Sequence, residues 1–168
     1  MVADNASLGN NVKVQNNVAI YGGVTIEDDV FLGPSCVLTN VTNPRSQVSR
    51  KTLYEKTHIK RGATIGANAT IVCGISLGCY CFIGAGSVVT KNIPDYGMVL
   101  GNPGKLAGFM SRHGHKLKFD ESGRATCPES KFVYEKVEQQ VRCLDLDEDE
   151  PLPSELSFGS QYYDSFQK

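Results

Sequence analysis

An aliphatic side chain recurs at every sixth position over two long stretches of the chain. The positions are Val2, Leu8, Val14, Ile20, Ile26, Leu32 and Leu38 in the first stretch, then Ile59, Ile65, Ile71, Leu77, Ile83 and Val89 in the second. Because valine, isoleucine and leucine make up only about a quarter of typical sequences, chance does not account for this series. Apolar spacing of three and four residues, which would indicate an α-helix, is not found over residues 2–93.

A second set of positions follows the same period. Four places after each aliphatic residue the side chain is small or β-branched: Ala6, Val12, Val18, Val24, Val30, Cys36, Ala63, Ala69, Ile75, Cys81, Ser87 and Ile93. Pairs of turn-forming residues lie between them: Asn10-Asn11, Asn16-Asn17, Gly22-Gly23 and Asp28-Asp29. Each hexapeptide is therefore predicted to be a short strand plus a corner, and three of them one coil of a three-sided parallel β-helix, or prism. A β-sandwich, the other all-β possibility, does not explain a strict period of six.

The period is interrupted once, between Leu38 and Ile59. Their separation along the chain is not a multiple of six, so residues 40–57 are predicted to leave the prism as a loop. The loop carries four cations and a single acid, Glu55. A loop of this length in a compact fold is usually functional or disordered. It is either a solvated surface excursion or a substrate-binding flap beside a neighbouring subunit.

The regular pattern stops near Ile93 and Pro94. We expect the prism to span residues 1–94, followed by an exit turn and a short helix within residues 95–115, the helix covering 105–113. Residues 116–168 are expected to hold a small β-hairpin, from segments near 116–120, 132–134 and 141–143, and then a loosely ordered acidic and polar tail.

Composition and charge narrow the class of protein. The 168 residues carry a net charge of −1, which gives no electrostatic case for nucleic acid or an acidic membrane as partner. No apolar run of about 18 residues is present, so no transmembrane helix is predicted. The first residues do not resemble a signal peptide. None of the six cysteines forms a CxxC pair, which favours small buried side chains in a reducing cytoplasm over a metal site.

Two segments resemble the hexapeptide acyltransferase superfamily most specifically. They are GAGSVVTKNIP at residues 84–94 and VLGNPGK at residues 99–105, and the resemblance extends over residues 2–110. It implies an all-β, left-handed parallel β-helix, an acetyl-CoA-dependent enzyme, and a homotrimer with acetyl-CoA in the groove between two subunits.

A narrower resemblance concerns the substrate. LTNVTNPR at residues 38–45, QNNV at 15–18, EDDVFLGP at 27–34 and the segments SRHGHKL, CPES and VRCLD of the C-terminal region look like bacterial UDP-2-acetamido-3-amino-2,3-dideoxy-glucuronate N-acetyltransferases. This resemblance implies acetylation of a sugar 3-amino group in lipopolysaccharide O-antigen biosynthesis. A related family acts on dTDP-linked 3-amino-3,6-dideoxy sugars.

The resemblance assigns roles to several residues of the loop and of the first coils. Asn40 corresponds to a residue beside the reacting amine, and its side-chain oxygen could accept a hydrogen bond from that amine, or merely cap the loop. Arg45 and Arg50 could clamp the sugar carboxylate or the diphosphate, Arg50 being favoured. Gln15, Asn16 and Tyr21 could contact the uracil and ribose, although the two amides are equally good turn residues.

The coenzyme is expected to contact mainly backbone. Small residues would let its pantetheine arm lie close to the wall of the prism, the exit segment would line the site, and two lysines could meet its phosphates. The residues concerned are Gly66, Ala67, Gly84, Ala85, Lys91, Asn102, Pro103 and Lys105. No metal is expected.

The proton acceptor is the least defined part of this chemistry. His58 follows the loop directly and is a candidate general base, because related sugar acetyltransferases use a histidine. Without a protein base, the departing thiolate or a water would take the proton. Three other functions stay open: transfer to a 4-amino sugar or serine, a γ-class carbonic anhydrase, which needs histidines on the repeats, and a non-enzymatic scaffold.

Overall fold

The computed structural model describes residues 1–159 and 161–166 and is built almost entirely of β-strands. Side 1 of the prism holds β1 (Ser7–Leu8), β3 (Val24–Ile26), β6 (Thr57–Ile59) and β9 (Ser76–Leu77). Side 2 holds β2 (Lys13–Val14), β4 (Phe31–Leu32), β7 (Thr64–Ile65), β10 (Phe82–Ile83) and β12 (Gly97–Leu100), and side 3 holds β5 (Val37–Leu38), β8 (Thr70–Ile71) and β11 (Val88–Val89). Within the described residues, two 3₁₀ turns, Ser154–Leu156 and Tyr163–Phe166, are the helical elements.

The pairing of these strands confirms the predicted parallel coils. Val14 lies beside Leu32 and Ile65 beside Ile83, so each residue pairs with the one that follows it by three hexapeptides. Leu32 and Ile65 are also paired, although their separation along the chain is not a multiple of six. The additional residues belong to the inserted loop, which lies between sides 3 and 1 and returns the chain to the prism in register.

The predicted columns of aliphatic side chains form the core. From Ile20 to Val89 every member is buried, and the second set of positions, such as Val30 and Ala69, packs with it. The first coil is different: Val2, Leu8 and Val14 are 50%, 37% and 38% exposed, because among the described residues a coil packs on only one side of them. Apolar burial therefore stabilises the middle of the prism more than its first coil.

The corners depend on backbone conformations that the sequence anticipates. The second residue of each predicted turn pair has a positive φ, as in Asn17 and Asp29, both at 61°. Glycines that follow the aliphatic positions are needed for a different reason. A Cβ on Gly66 would lie only 2.5 Å from the backbone nitrogen of Ala85 in the next coil. Close stacking of coils thus requires glycine there.

Two expectations about the end of the prism are wrong. The last parallel strand is β12, so the prism continues past residue 94 to Leu100. Residues 105–113 do not form a helix: β13 (Lys105–Phe109) pairs antiparallel with β12. The free edge of β12 offers hydrogen bonds to the returning chain, and Gly108, at a φ of 143°, has no helical conformation.

A second, smaller sheet follows. It comprises β14 (Arg124–Thr126), β15 (Val133–Val137) and β16 (Gln140–Cys143), all antiparallel, and Tyr134 lies opposite Cys143. The expected strand near 116–120 is instead a single bridge between Met110 and Lys116. This sheet and its connecting segments, residues 105–150, are called the C-terminal extension below.

Candidate functional site

The loop, residues 40–57, forms a cavity of about 780 Å³ against side 3 of the prism. Asn40 lies where the chain leaves the prism and Tyr21 lies one coil before it, since Ala19 pairs with Val37. Arg45, Arg50 and Lys51 contribute positive charge to the lining. Three of the five predicted substrate residues, Tyr21, Arg45 and Arg50, therefore line one cavity together with Asn40.

The two arginines are held differently. Nε of Arg50 donates a hydrogen bond to the carbonyl oxygen of Asn43 at 3.0 Å. This bond restrains the plane of the guanidinium and leaves both Nη groups available to donate to a ligand. Nη1 of Arg45 donates only a longer bond, 3.3 Å, to the neighbouring carbonyl of Pro44. Arg50 is thus pre-oriented for a bidentate contact, whereas Arg45 is freer to move.

Gln15 and Asn16 lie elsewhere on the prism. They occupy the corner between sides 2 and 3, where the carbonyl oxygen of Asn16 accepts a hydrogen bond from the backbone of Ser35. Tyr21 and Asn40 lie at the next corner, between sides 3 and 1. A single chain consequently does not bring the five predicted substrate residues together.

The corner of Gln15 and Asn16 also carries most of the predicted coenzyme residues. Gly66, Ala67, Gly84, Ala85 and the exit segment with Asn102 and Pro103 stack there, coil on coil. This column is called the glycine corner. Its smooth backbone wall suits an extended ligand, although the stacking of coils alone accounts for Gly66.

The two lysines that were predicted to contact the phosphates of the coenzyme lie at different corners of the prism. Lys91 is exposed at the corner below Asn40, two coils further on, because Leu38, Ile71 and Val89 form one column. Lys105 is exposed at the start of β13, next to the glycine corner. Of the two, only Lys105 shares a corner with the other predicted coenzyme residues.

His58 lies on the outer face of side 1 and outside the loop cavity. Its Nε2 lies 2.6 Å from Oε1 of Glu27, and both side chains are about two-fifths exposed, at 43% and 39%. The other oxygen of Glu27 accepts a hydrogen bond from the backbone nitrogen of Arg61 at 2.8 Å. A histidine oriented by a carboxylate is a common arrangement for a general base.

The described residues form neither a candidate metal centre nor a membrane-spanning helix. No group of three or more His, Cys, Asp or Glu side chains in that part of the chain is arranged to hold a metal ion. Among the same residues no helix has the length and apolar character needed to cross a bilayer. All six cysteines have free thiols.

Known families match the repeats themselves. Residues 5–40 match "Bacterial transferase hexapeptide (six repeats)" and residues 58–91 match "Hexapeptide repeat of succinyl-transferase". The two matched stretches are transferase-type hexapeptide repeats. These hexapeptide repeats lie on either side of the loop and support the resemblance to the hexapeptide acyltransferase superfamily.

Individual proteins resemble parts of the chain. A dTDP-3-amino-3,6-dideoxy-α-D-galactopyranose 3-N-acetyltransferase of Aneurinibacillus thermoaerophilus is 46% identical over 74 residues, 44% of this chain and 38% of that enzyme. A serine acetyltransferase of Buchnera aphidicola is 36% identical over 63% of this chain and 37% of its own length. The chain thus spans well under half the length of either relative.

A solved structure agrees with the fold. A galactoside acetyltransferase in complex with coenzyme A superposes with a TM-score of 0.56 at 29% identity, covering 63% of this chain and 56% of that one. Such hexapeptide-repeat neighbours imply a left-handed course for the prism.

The structure gives three residues roles that the sequence did not predict: Glu27, Glu55 and Arg112. Glu27 orients His58, Glu55 ties the base of the loop, and Arg112 holds the C-terminal extension. None repeats with the period of six. Glu55 stood out as the single acid in a basic loop, and Glu27 and Arg112 belonged to the segments EDDVFLGP and SRHGHKL without a role of their own.

Proposed function

We propose that this protein is an acetyl-CoA-dependent N-acetyltransferase that acetylates the 3-amino group of a nucleotide-linked amino sugar. The observation that carries the proposal is the loop cavity, in which Asn40 at the edge of the prism faces a lining that includes Arg45, Arg50 and Lys51. An amide that can orient an amine, beside cations that can bind an anionic nucleotide sugar, matches this acceptor class.

The reaction is attack of a neutral amine on a thioester. A bond forms between the amine nitrogen and the acetyl carbon, the carbon–sulfur bond breaks, and coenzyme A leaves as a thiolate. The ammonium proton goes to that thiolate, to water or to His58. Asn40 contributes by accepting a hydrogen bond from the amine, which directs the lone pair at the acetyl group, and positioning of this kind can contribute several kcal/mol.

The coenzyme is assigned to the glycine corner. Backbone groups of Gly66, Ala67, Gly84 and Ala85 would contact its pantetheine arm, and Lys105 would contact its phosphates. In one chain this corner is separate from Asn40. The proposed homotrimer removes the difficulty, because the glycine corner of one subunit could face the loop cavity of the next.

The acceptor has two candidates within this class. A UDP-linked 3-amino uronate agrees with the surplus of cations and the pre-oriented Arg50, while the relative from Aneurinibacillus thermoaerophilus favours a dTDP-linked 3-amino-3,6-dideoxyhexose. They differ by a carboxylate. We expect Arg50→Ala to raise the KM of a uronate acceptor far more than that of acetyl-CoA; unchanged KM values would exclude the carboxylate role.

A second function is favoured by the pair of His58 and Glu27. A hydroxyl acceptor must lose a proton as it attacks, so an O-acetyltransferase depends on a base of this kind far more than an N-acetyltransferase does. The serine acetyltransferase among the relatives acts on such an acceptor. Replacing His58 by alanine separates the two functions, since it should abolish O-transfer and leave N-transfer largely intact.

The decisive experiment is an acetyl-transfer assay with free thiol as the readout, against UDP- and dTDP-linked amino sugars, serine and a galactoside. Asn40→Ala should lower kcat for the amino sugar by about tenfold to a hundredfold with little change in the acetyl-CoA KM. Turnover of serine or the galactoside alone would overturn the proposal.

The protein's own thiols interfere little with that readout. Five of the six cysteines are buried, and burial raises the pKa of Cys36 and of Cys79, the least buried, to about 11. At a pH near 8 these two thiols are almost wholly protonated and react slowly with a disulfide reagent.

A further inference from the structure

The base of the loop, residues 39–42 and 55–57, is tied together by a hydrogen-bonded network. The backbone nitrogen of Glu55 donates to the carbonyl oxygen of Asn40 at 3.0 Å, which joins the two ends of the loop. Thr57 then returns to side 1, its backbone nitrogen donating to the carbonyl oxygen of Gly23 at 3.0 Å. The two ends of the loop therefore meet at one place on the prism, and Asn40 lies there.

The side chain of Glu55 strengthens the same point. Its Oε1 accepts a hydrogen bond from the backbone nitrogen of Thr42 at 3.2 Å and a second from the hydroxyl of Thr42. The Thr42 hydroxyl also contacts the thiol of Cys73 in the next coil, with 3.6 Å between oxygen and sulfur. Glu55 thus joins the loop to the prism as well as to itself.

Asn40 is bracketed by these contacts. On its N-terminal side, the hydroxyl of Thr39 accepts a hydrogen bond from the backbone nitrogen of Cys73 at 2.9 Å. On its C-terminal side, Thr42 is held by Glu55. With its own carbonyl also bonded to Glu55, the backbone of Asn40 has little freedom to move, which limits the side chain to the rotamers allowed at this one backbone position.

The partner choice of Glu55 is informative. Four cations share the loop, yet the carboxylate contacts a threonine rather than forming an ion pair with any of them within the described residues. The hydrogen bond from the Thr42 hydroxyl lowers the pKa of Glu55, so the carboxylate form is the one stabilised. The cations are consequently left for an anionic ligand.

We propose that Glu55 is a positioning residue: its contacts with Thr42 and with the backbone of Asn40 hold Asn40 in the orientation needed to direct the acceptor amine. This proposal rests on the proposed function, because it takes the amine to react beside Asn40. It adds a residue that does not itself touch the substrate.

Three variants test it. Glu55→Ala removes both side-chain hydrogen bonds, Thr42→Val removes only the hydroxyl donor at nearly constant shape, and Glu55→Gln keeps an acceptor oxygen for Thr42. The matched control is Glu121→Ala, the same change at an exposed glutamate of the C-terminal extension. Steady-state kinetics are measured with acetyl-CoA and each acceptor.

Glu55→Ala should lower kcat for the acceptor by about tenfold to a hundredfold while the KM for acetyl-CoA stays unchanged, because a misplaced Asn40 affects the reacting geometry alone. Thr42→Val should have a smaller effect in the same direction, and Glu55→Gln should recover most of the activity. The double variant of Glu55→Ala and Thr42→Val should have about the same kcat as Glu55→Ala, because both substitutions remove the same hydrogen bond between the Thr42 hydroxyl and Glu55.

A second measurement does not depend on the reaction. Trypsin cuts after Arg45, Arg50 and Lys51, and the rate of cutting should rise in Glu55→Ala and Thr42→Val but not in Glu121→Ala. If wild-type protein acetylates no amino sugar, the proposed function fails, and the tryptic rates still decide whether Glu55 holds the loop. If wild-type protein is active and Glu55→Ala behaves as Glu121→Ala does, or raises both KM values alike, the positioning role is wrong.

Discussion

The prism and the C-terminal extension bury their apolar side chains in different ways. In the prism, the position of each residue along the repeat decides whether it is inside, and aliphatic residues such as Ile65 and Ile83 stack directly on one another. The extension has no period. Its core combines rings at irregular spacing from the extension and from the end of the prism, and Tyr96 of the prism lies between Tyr80 and Tyr134 at centroid distances of 5.5 and 5.3 Å.

Arg112 links the tyrosines of this core to the segment that follows β16. The guanidinium of Arg112 lies 4.2 Å from the centre of the Tyr80 ring, and its Nη2 donates to the carbonyl oxygens of Glu148 and Glu150 at 3.3 and 2.7 Å. The hydroxyl of Tyr96 donates to the carboxylate of Glu148 at 3.1 Å. The comparison teaches that a repetitive core distributes its stability over many equivalent positions, whereas an irregular one concentrates it in a few.

The largest effect is expected at the middle of a prism column. Ile65→Ala removes a fully buried side chain between Leu32 and Ile83 and should lower the free energy of unfolding by about 2–5 kcal/mol. Val14→Ala, the control in the first coil of the same column, should cost much less because Val14 is 38% exposed. Chemical denaturation at one protein concentration measures both; equal losses would refute the difference between coils.

The glycine corner should be the next most sensitive position. Gly66→Ala places a Cβ within 2.5 Å of the backbone of Ala85, so the coils must separate, and we expect a loss of about 1–3 kcal/mol. Gly159→Ala is the matched control, since its added Cβ would meet nothing closer than 3.8 Å. The unfolding temperatures of the two variants are compared. An unchanged unfolding temperature for Gly66→Ala would mean that the coils can separate locally.

Loss of the Arg112 guanidinium should loosen only the end of the extension. Arg112→Lys keeps the charge but loses the planar group that spans Tyr80 and two carbonyl oxygens, so residues 145–150 should detach while the prism stays folded. Cleavage after Glu148 by a glutamate-specific protease should become several-fold faster. Arg124→Lys, the same change at an exposed arginine of the extension, serves as control, and a lower unfolding temperature of the whole protein would argue against a separable extension.

The smallest effect is expected at the turn before β14. Oδ1 of Asp120 accepts hydrogen bonds from the backbone nitrogens of Ser122 and Arg124 and from the Ser122 hydroxyl, and these bonds, the hydroxyl first, lower the pKa of Asp120. A lowered pKa stabilises the fold above the unfolded value of 3.8, and this contribution disappears as the pH falls through the folded value. The difference in unfolding temperature between wild type and Asp120→Asn should therefore shrink below pH 4; a difference independent of pH would contradict this reasoning.

The two regions also differ in how far the sequence predicts them. Period six predicts the three sides, the loop and the buried columns, because every repeat indicates the same register. The strand Lys105–Phe109 is wrongly predicted as a helix, since local sequence does not reveal that β12 has a free edge. Arg112 and Glu55 act through contacts with residues that are distant in sequence, and such contacts leave no repeated pattern. Of the candidate site, the residues lining the loop cavity were predictable, but their separation from Gln15 and Asn16 required the register of the coils.

The pairing of Leu32 with Ile65 across the inserted loop has an evolutionary consequence. Since the chain re-enters the prism at the corner where it left, the stacking of coils does not depend on the sequence or the length of the loop. A longer loop costs little additional closure entropy. For the proposed acetyltransferase, the acceptor would therefore change with one surface segment, while the scaffold and the glycine corner stay the same.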